Sequence, residues 1–173
     1  MTGPQPDSPL GAEELEIRAV RPEDKADLVR GFEHLSDRSR YRRFLSPHDH
    51  LSTAELRYFT EVDHDDHEAL VAIDPRTSQG VAEARFVRLP ADPHAAELAI
   101  AVVEEWQGRG VGRRLVAELA RRAREEGITV FTALVLASNR AMLALARTLG
   151  EVRVLSREQG AVEIAIELGE RGG

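Results

Sequence analysis

The stretch Glu97-Leu98-Ala99-Ile100-Ala101-Val102-Val103-Glu104-Glu105-Trp106-Gln107-Gly108-Arg109-Gly110-Val111-Gly112 decides how this chain is read. Behind its leading carboxylate, Glu97 to Val103 is rich in apolar residues and predicts a buried strand. Gly108, Gly110 and Gly112 then alternate, and Val111, Leu115, Leu119 and Ala123 follow at four-residue spacing. That spacing predicts an amphipathic helix from Gly110 to Glu126, ended by Gly127 as a left-handed cap. Glycines let a backbone turn tightly and approach a ligand closely. The start of a helix adds unpaired N–H groups and the positive end of its dipole. Gln107, Gly108, Arg109, Gly110, Val111 and Gly112 thus suit a phosphate or pyrophosphate, with charge added by Arg109, Arg113 and Arg114. A turn that merely joins strand to helix has the same glycine content.

Two other phosphate loops fail on local detail. A P-loop needs Lys-Ser/Thr after its last glycine, and here Arg113-Arg114 follows Gly112. The dinucleotide fingerprint needs Gly-x-Gly-x-x-Gly, and the third spacing here is one residue short.

Upstream, residues 15–20 alternate as a first strand, and Pro22-Glu23-Asp24 opens a helix with Leu28, Val29, Phe32 and Leu35 on its apolar face. A short helix is expected from Ser36 to Phe44, and another capped by Ser52 or Thr53. Strands are expected at 69–73 and 80–89, with a loop from Pro90 to Pro93. Downstream, 129–136 is apolar on both faces and reads as a central strand. Ser138 or Asn139 starts a last helix that Gly150 ends, and 152–155 with 161–168 close as a hairpin around Glu158-Gln159-Gly160. The sum is a mixed α/β sheet with helices on both faces.

The 173 residues suit one domain with a full core. Residues 1–14 read as a disordered lead-in, 15–168 as the domain and 169–173 as a flexible tail. With no cysteine, disulfides, thiolate metal sites and a cysteine nucleophile are excluded; the composition fits a reducing cytoplasm. No apolar run approaches the roughly 20 residues of a membrane span. The net charge of −7 argues against a nucleic-acid partner and suits a cationic amine. His48, His50, His64 and His67 lack the spacing of a closed ligand set, so no metal is expected. The acidic run Glu61, Asp63, Asp65, Asp66 and Glu68 is either a solvated loop or a guide for an amine.

The quoted stretch resembles the acetyl-CoA-binding motif of the GNAT superfamily of N-acetyltransferases, with Gln107, Gly110 and Gly112 at the signature positions. The resemblance spans roughly Ile17 to Leu168 and implies a GNAT-like α/β fold: a mixed, mostly antiparallel twisted sheet flanked by helices on both faces. It implies acetyl-CoA as co-substrate, its pyrophosphate on the loop amides and its pantetheine arm along Ile100, Ala101, Val102 and Val103. Asn139, in Ala137-Ser138-Asn139-Arg140, matches a further family position. Residues 39–47, 59–63 and 68–73 look like the Pat-type bacterial protein lysine acetyltransferases. Those enzymes often carry an additional regulatory or CoA-ligase-like domain, which is not expected within these 173 residues.

Acetyl transfer requires an amine to lose a proton, and a free lysine has a pKa of about 10.4. Glu97, among apolar neighbours that disfavour charge, is the expected general base, and the Pat-type resemblance implies a glutamate there. Backbone N–H groups near Ile100 to Val102 are the expected oxyanion donors. Many relatives carry a tyrosine acid in the last helix; counting from Asn139, that position is Ala146. Arg40, Arg42 and Arg43 are candidates for acidic groups on a protein substrate or for the 3′-phosphate of CoA. The expected acceptor is a primary amine, most simply a protein lysine, handled by a monomer or homodimer. A small-molecule amine and a CoA sensor without turnover are the alternatives.

Overall fold

A computed structural model describes residues 10–169. A single sheet has seven strands in the order β1-β2-β3-β4-β5-β7-β6: β1 Glu16–Ala19, β2 His67–Asp74, β3 Gln79–Leu89, β4 Asp92–Val102, β5 Val130–Leu136, β6 Gly150–Glu158 and β7 Ala161–Leu168. Every neighbouring pair is antiparallel except β4–β5. The helices are α1 Lys25–Glu33, α2 Asp37–Phe44, α3 Thr53–Thr60, α4 Val111–Glu125 and α5 Arg140–Arg147. This is the mixed, mostly antiparallel α/β architecture that the resemblance implies. No helix among the described residues is long and apolar enough to cross a membrane.

Local chemistry explains the element ends. Ser36 caps α2 by accepting from Ser39 N, and Ser52 and Glu55 form a reciprocal capping box at α3. Gly127 takes a φ of 75°, as a left-handed cap requires. Gln159 and Gly160, at φ 48° and 81°, turn the β6–β7 hairpin.

The sheet's two faces are treated differently. On one face Leu115, Val116 and Leu119 of α4 pack with Phe86, Phe131, Ile164 and Ile166, all essentially without solvent exposure. Burying each such side chain stabilises the fold by roughly 1.5–3 kcal/mol. On the other face α1 and α2 pack on β3 and β4. Across β5 and β7 that second face stays open: Leu134 is 53% exposed although its strand is internal to the sheet.

Three expectations need correction. The Pro90–Pro93 loop is shorter, because β4 already starts at Asp92 and Pro93 falls where the β3–β4 register shifts, a place that tolerates a missing N–H. The strand expected to be buried on both faces has one face exposed at Leu134, since no helix covers it. Of the expected disordered lead-in, Ala12–Glu14 forms a 3-10 turn, with Ala12 buried and its carbonyl accepting from Arg114 Nη1 at 2.6 Å. Residues 1–9, and 170–173 of the expected tail, lie outside the described residues.

Candidate active site

Strands β4 and β5 pair only at Ala95↔Val130, Ala96↔Phe131 and Glu97↔Thr132. Past Glu97 they diverge, and the sheet splits. Glu97 therefore stands at the fork. Val103 N donates to Val81 O at 3.0 Å, which sets the alternation along β3–β4. By that alternation the peptide groups of Leu98, Ile100 and Val102 turn towards β5, into the split.

The cleft in the split is lined by Glu97 to Val102 of β4, Leu134 and Val135 of β5, and Gln107, Gly108 and Gly110 to Arg113 of the loop and α4. Asn139, Met142 and Leu145 close it from α5, and Ser39, Arg42, Arg43 and Phe44 from α2. Here the glycine loop has the character of an anion site. Gly108 and Gly110 have φ of 71° and 81°, a region open to glycine at little cost. Gly110 caps α4 without any side-chain bond. Helices α1, α2 and α3 each carry an acid in the first turn, whereas α4 carries none. Its first N–H groups are thus left for a ligand, and they face the cleft beside Arg113.

Gly112 is required for space rather than for its dihedral. A Cβ there would lie 3.5 Å from Ile100 Cδ1 and 3.6 Å from Leu145 Cδ2, so any larger side chain would enter the split. Gln107 serves structure as well as surface. Its Nε2 donates to Val102 O at 2.9 Å, capping the free edge of β4, and to Ser39 Oγ at 3.3 Å. Asn139 caps α5, its Oδ1 accepting from Met142 N at 3.2 Å.

Most of the expected site residues come together, but two do not line the cleft. Val103 is buried and borders a neighbouring chamber instead. The guanidinium of Arg109 lies over the Trp106 ring at 5.2 Å. Of the three arginines expected around the anion, only Arg113 lines the cleft, since Arg114 donates to the carbonyls of Ala12 and Leu15. Glu97 is exposed, so the apolar environment expected of it is missing on its solvent side. Ala146 is fully buried; α5 presents Ala141, Ala144, Leu145 and Thr148 to the cleft, and no tyrosine lines it. The acidic run is engaged elsewhere: Glu61 with Lys25, Asp66 with Arg88, and buried Glu68 with Arg122 at 2.9 Å. His64 meets Glu68, His67 meets Arg85, and no cluster of three or more metal-ligating side chains occurs among the described residues.

The place of α2 at the site is not legible in the sequence. Arg43, behind the cleft wall, has its pKa lowered by burial, with Glu83 and Glu97 working in the opposite direction. Its guanidinium lies over the rings of Phe44 and Phe59 at 4.9 and 5.7 Å. The signal lay in the spacing Ser39, Arg42, Arg43, one helical face, but nothing local says which element that face meets.

A sheet that splits beside an uncapped, glycine-led helix is the framework of an acyl-CoA N-acyltransferase. The chain belongs to the acetyltransferase (GNAT) family, whose description matches residues 31–150. It is 36% identical over 138 residues to the acetyltransferase Pat of Mycolicibacterium smegmatis, a match covering 80% of this chain and 41% of that protein. The chain thus spans about two fifths of the length of that curated relative. Its structure superposes on the GNAT domain of S. lividans PAT with a TM-score of 0.81 at 32% identity, covering 89% of this chain and 90% of that one. An acetyltransferase from Salmonella typhimurium, solved with acetyl-CoA, shares the fold at a TM-score of 0.71 and 20% identity, over 92% of this chain and 97% of that one.

Proposed function

We propose that this chain transfers an acetyl group from acetyl-CoA to a primary amine, with a protein lysine as the acceptor and Glu97 as the general base. One observation carries the reading: the fork at Glu97, the inward-turned peptide groups of Leu98, Ile100 and Val102, and the uncapped start of α4 all border one cleft. The pyrophosphate of the donor sits on the N–H groups from Gly108 to Gly112, with Arg113 beside it. The pantetheine arm runs in the split along Ile100 to Val102. The thioester then lies towards Glu97, and a β4 N–H polarises its carbonyl.

Glu97 takes a proton from the ammonium. The freed nitrogen attacks the thioester carbon, forming the C–N bond as the C–S bond breaks. No tyrosine lines the cleft, so the second proton that the nitrogen loses as the amide forms passes by way of water to the departing thiolate, which leaves as the thiol. The open face across Thr132, Leu134 and Glu163 gives a lysine on another protein room to reach Glu97, which favours a macromolecular acceptor over a small enclosed amine.

Substituting Glu97→Gln tests the assignment. Turnover is expected to fall by about a hundredfold or more, while acetyl-CoA binding measured by calorimetry stays within about twofold. Retained turnover would remove Glu97 as base. Failure of lysine peptides alongside acetylation of small amines would overturn the acceptor assignment.

A further inference from the structure

A second, apolar chamber lies under α1, on the opposite side of β4 from α4. Its walls include Val20, Phe32, Phe59, Val71, Val81 and Val103. It shares Arg43, Phe44 and Ala101 with the donor cleft, so the two spaces meet across one thin wall. The floor at that wall is small: Ala99 and Ala101 are successive side chains on this face of β4, following Glu97. At the β1 end stands the Arg18–Asp24 pair, 2.7 Å apart and mostly buried. At the β4 end Arg85 is 3% exposed, and its Nε has no partner among the described residues.

We infer that this chamber receives the tail of acyl groups longer than acetyl, so that the protein also accepts butyryl- and hexanoyl-CoA. The inference rests on the acyl-transfer reading given above. An acceptor amine has no need of the chamber, because Glu97 is reached from the open face. The acyl tail is the part of the two substrates that is apolar and must leave the thioester away from solvent. Extending it past Ala101 places methylenes against Phe44, Phe59 and Val103, which favours transfer from water. The charges at the wall balance, Arg43 and Arg85 against Glu83 and Glu97, so an uncharged chain fits better than one ending in a carboxylate. The bond changes are those of acetyl transfer: the C–N bond forms, the C–S bond breaks and CoA leaves as its thiol.

The measurement is thiol release from acetyl-, butyryl- and hexanoyl-CoA with one lysine-peptide acceptor, for the full chain and for Gly31→Leu. A Cβ on Gly31 meets only Gly80 O, at 3.9 Å, so a leucine there has room to grow into the chamber from α1. In the unsubstituted protein, kcat/KM for hexanoyl-CoA is expected within about tenfold of that for acetyl-CoA. Gly31→Leu should lower the ratio of hexanoyl to acetyl kcat/KM by about tenfold or more. Leu28→Phe fills the same space from the same helix and serves if Gly31→Leu does not fold. Transfer of acetyl alone overturns the inference and leaves the acyltransferase intact. So does hexanoyl transfer with a ratio untouched by either filling variant. If no donor is used, the acyl-transfer reading fails and the inference falls with it.

Discussion

Ser39 Oγ donates to the carboxylate of Glu104 at 2.5 Å and accepts from Gln107 Nε2 at 3.3 Å, joining α2 to the turn that precedes the glycine loop. Ser36 completes the tie, its N–H reaching Glu104 Oε2 at 3.1 Å and its hydroxyl reaching Oε1. Burial works against the charge of Glu104, but the bonds from Ser36 and Ser39 hold its carboxyl below the usual range. The wall that α2 supplies to the cleft is thereby held at a set distance from the glycine loop.

Glu104→Ala should release that wall. KM for acetyl-CoA is expected to rise roughly fivefold to tenfold, with kcat within about twofold, because the tie shapes donor binding and not the fork. Glu104→Asp should recover part of the loss. An unchanged KM for the donor, or an equal rise in KM for the acceptor, would refute the assignment.

The three loop glycines should respond differently. Gly108→Ala and Gly110→Ala each force a side chain into the left-handed region, costing about 1 kcal/mol and weakening CoA binding severalfold. Gly112→Ala should be nearly neutral, while Gly112→Leu should block the split between Ile100 and Leu145. Calorimetric titration with CoA separates these cases; a severe effect of Gly112→Ala would contradict the steric account.

His67 gives a pH signature. Burial first, and the charge of Arg85 second, push its pKa down to about 4. Its Nε2 lies 2.9 Å from Arg85 Nη1, which requires the neutral ring as acceptor. Unfolded, the same group titrates near 6.5. The unfolded chain therefore binds the proton first as pH falls, so this contribution is complete above about 6.5 and is lost towards about 4. Melting temperatures measured from pH 7 to 4.5 should fall in this window, and His67→Gln should flatten the slope. An unchanged slope in the variant would assign the loss to other groups.

Arg122→Met tests the ion pair behind the sheet. Glu68 is 3% exposed and keeps His64 and the Ala69 N–H when Arg122 is gone, at 2.9 and 2.8 Å. Arg122 is itself partly exposed, so the loss should be about 2 kcal/mol, below that for a fully buried pair. Urea unfolding measures it, and adding Glu68→Gln should recover part of the loss. Additive losses would show that the two residues do not act as a pair.

The glycine loop and the helix behind it were legible because their signals are local. Glycines at 108 and 110 meet a backbone need, and four-residue spacing marks the buried face of α4. The serine caps of α2 and α3 were legible for the same reason. Arg109 and Arg114 were misplaced because charge beside a loop does not say which way a long side chain turns. Arg109 found the Trp106 ring, and Arg114 found carbonyls about a hundred residues away in sequence. Counting along α5 reached Ala146, whereas the cleft takes its neighbours Ala144 and Leu145, since helix rotation is set by packing on the sheet.

By itself the sequence determined the class of fold, a strand–loop–helix unit with the geometry suited to an anion, and a carboxylate on the strand before that loop, because each follows from short-range periodicity and glycine geometry; that β4 starts five residues ahead of Glu97 was not legible. Only the tertiary structure decided that β4 and β5 part just after Glu97↔Thr132, that α2 is tied to the loop through Glu104, and that an apolar chamber lies behind Ala101. These depend on contacts between segments tens of residues apart. Such contacts form when whole faces are buried together, and no local pattern encodes which faces will meet.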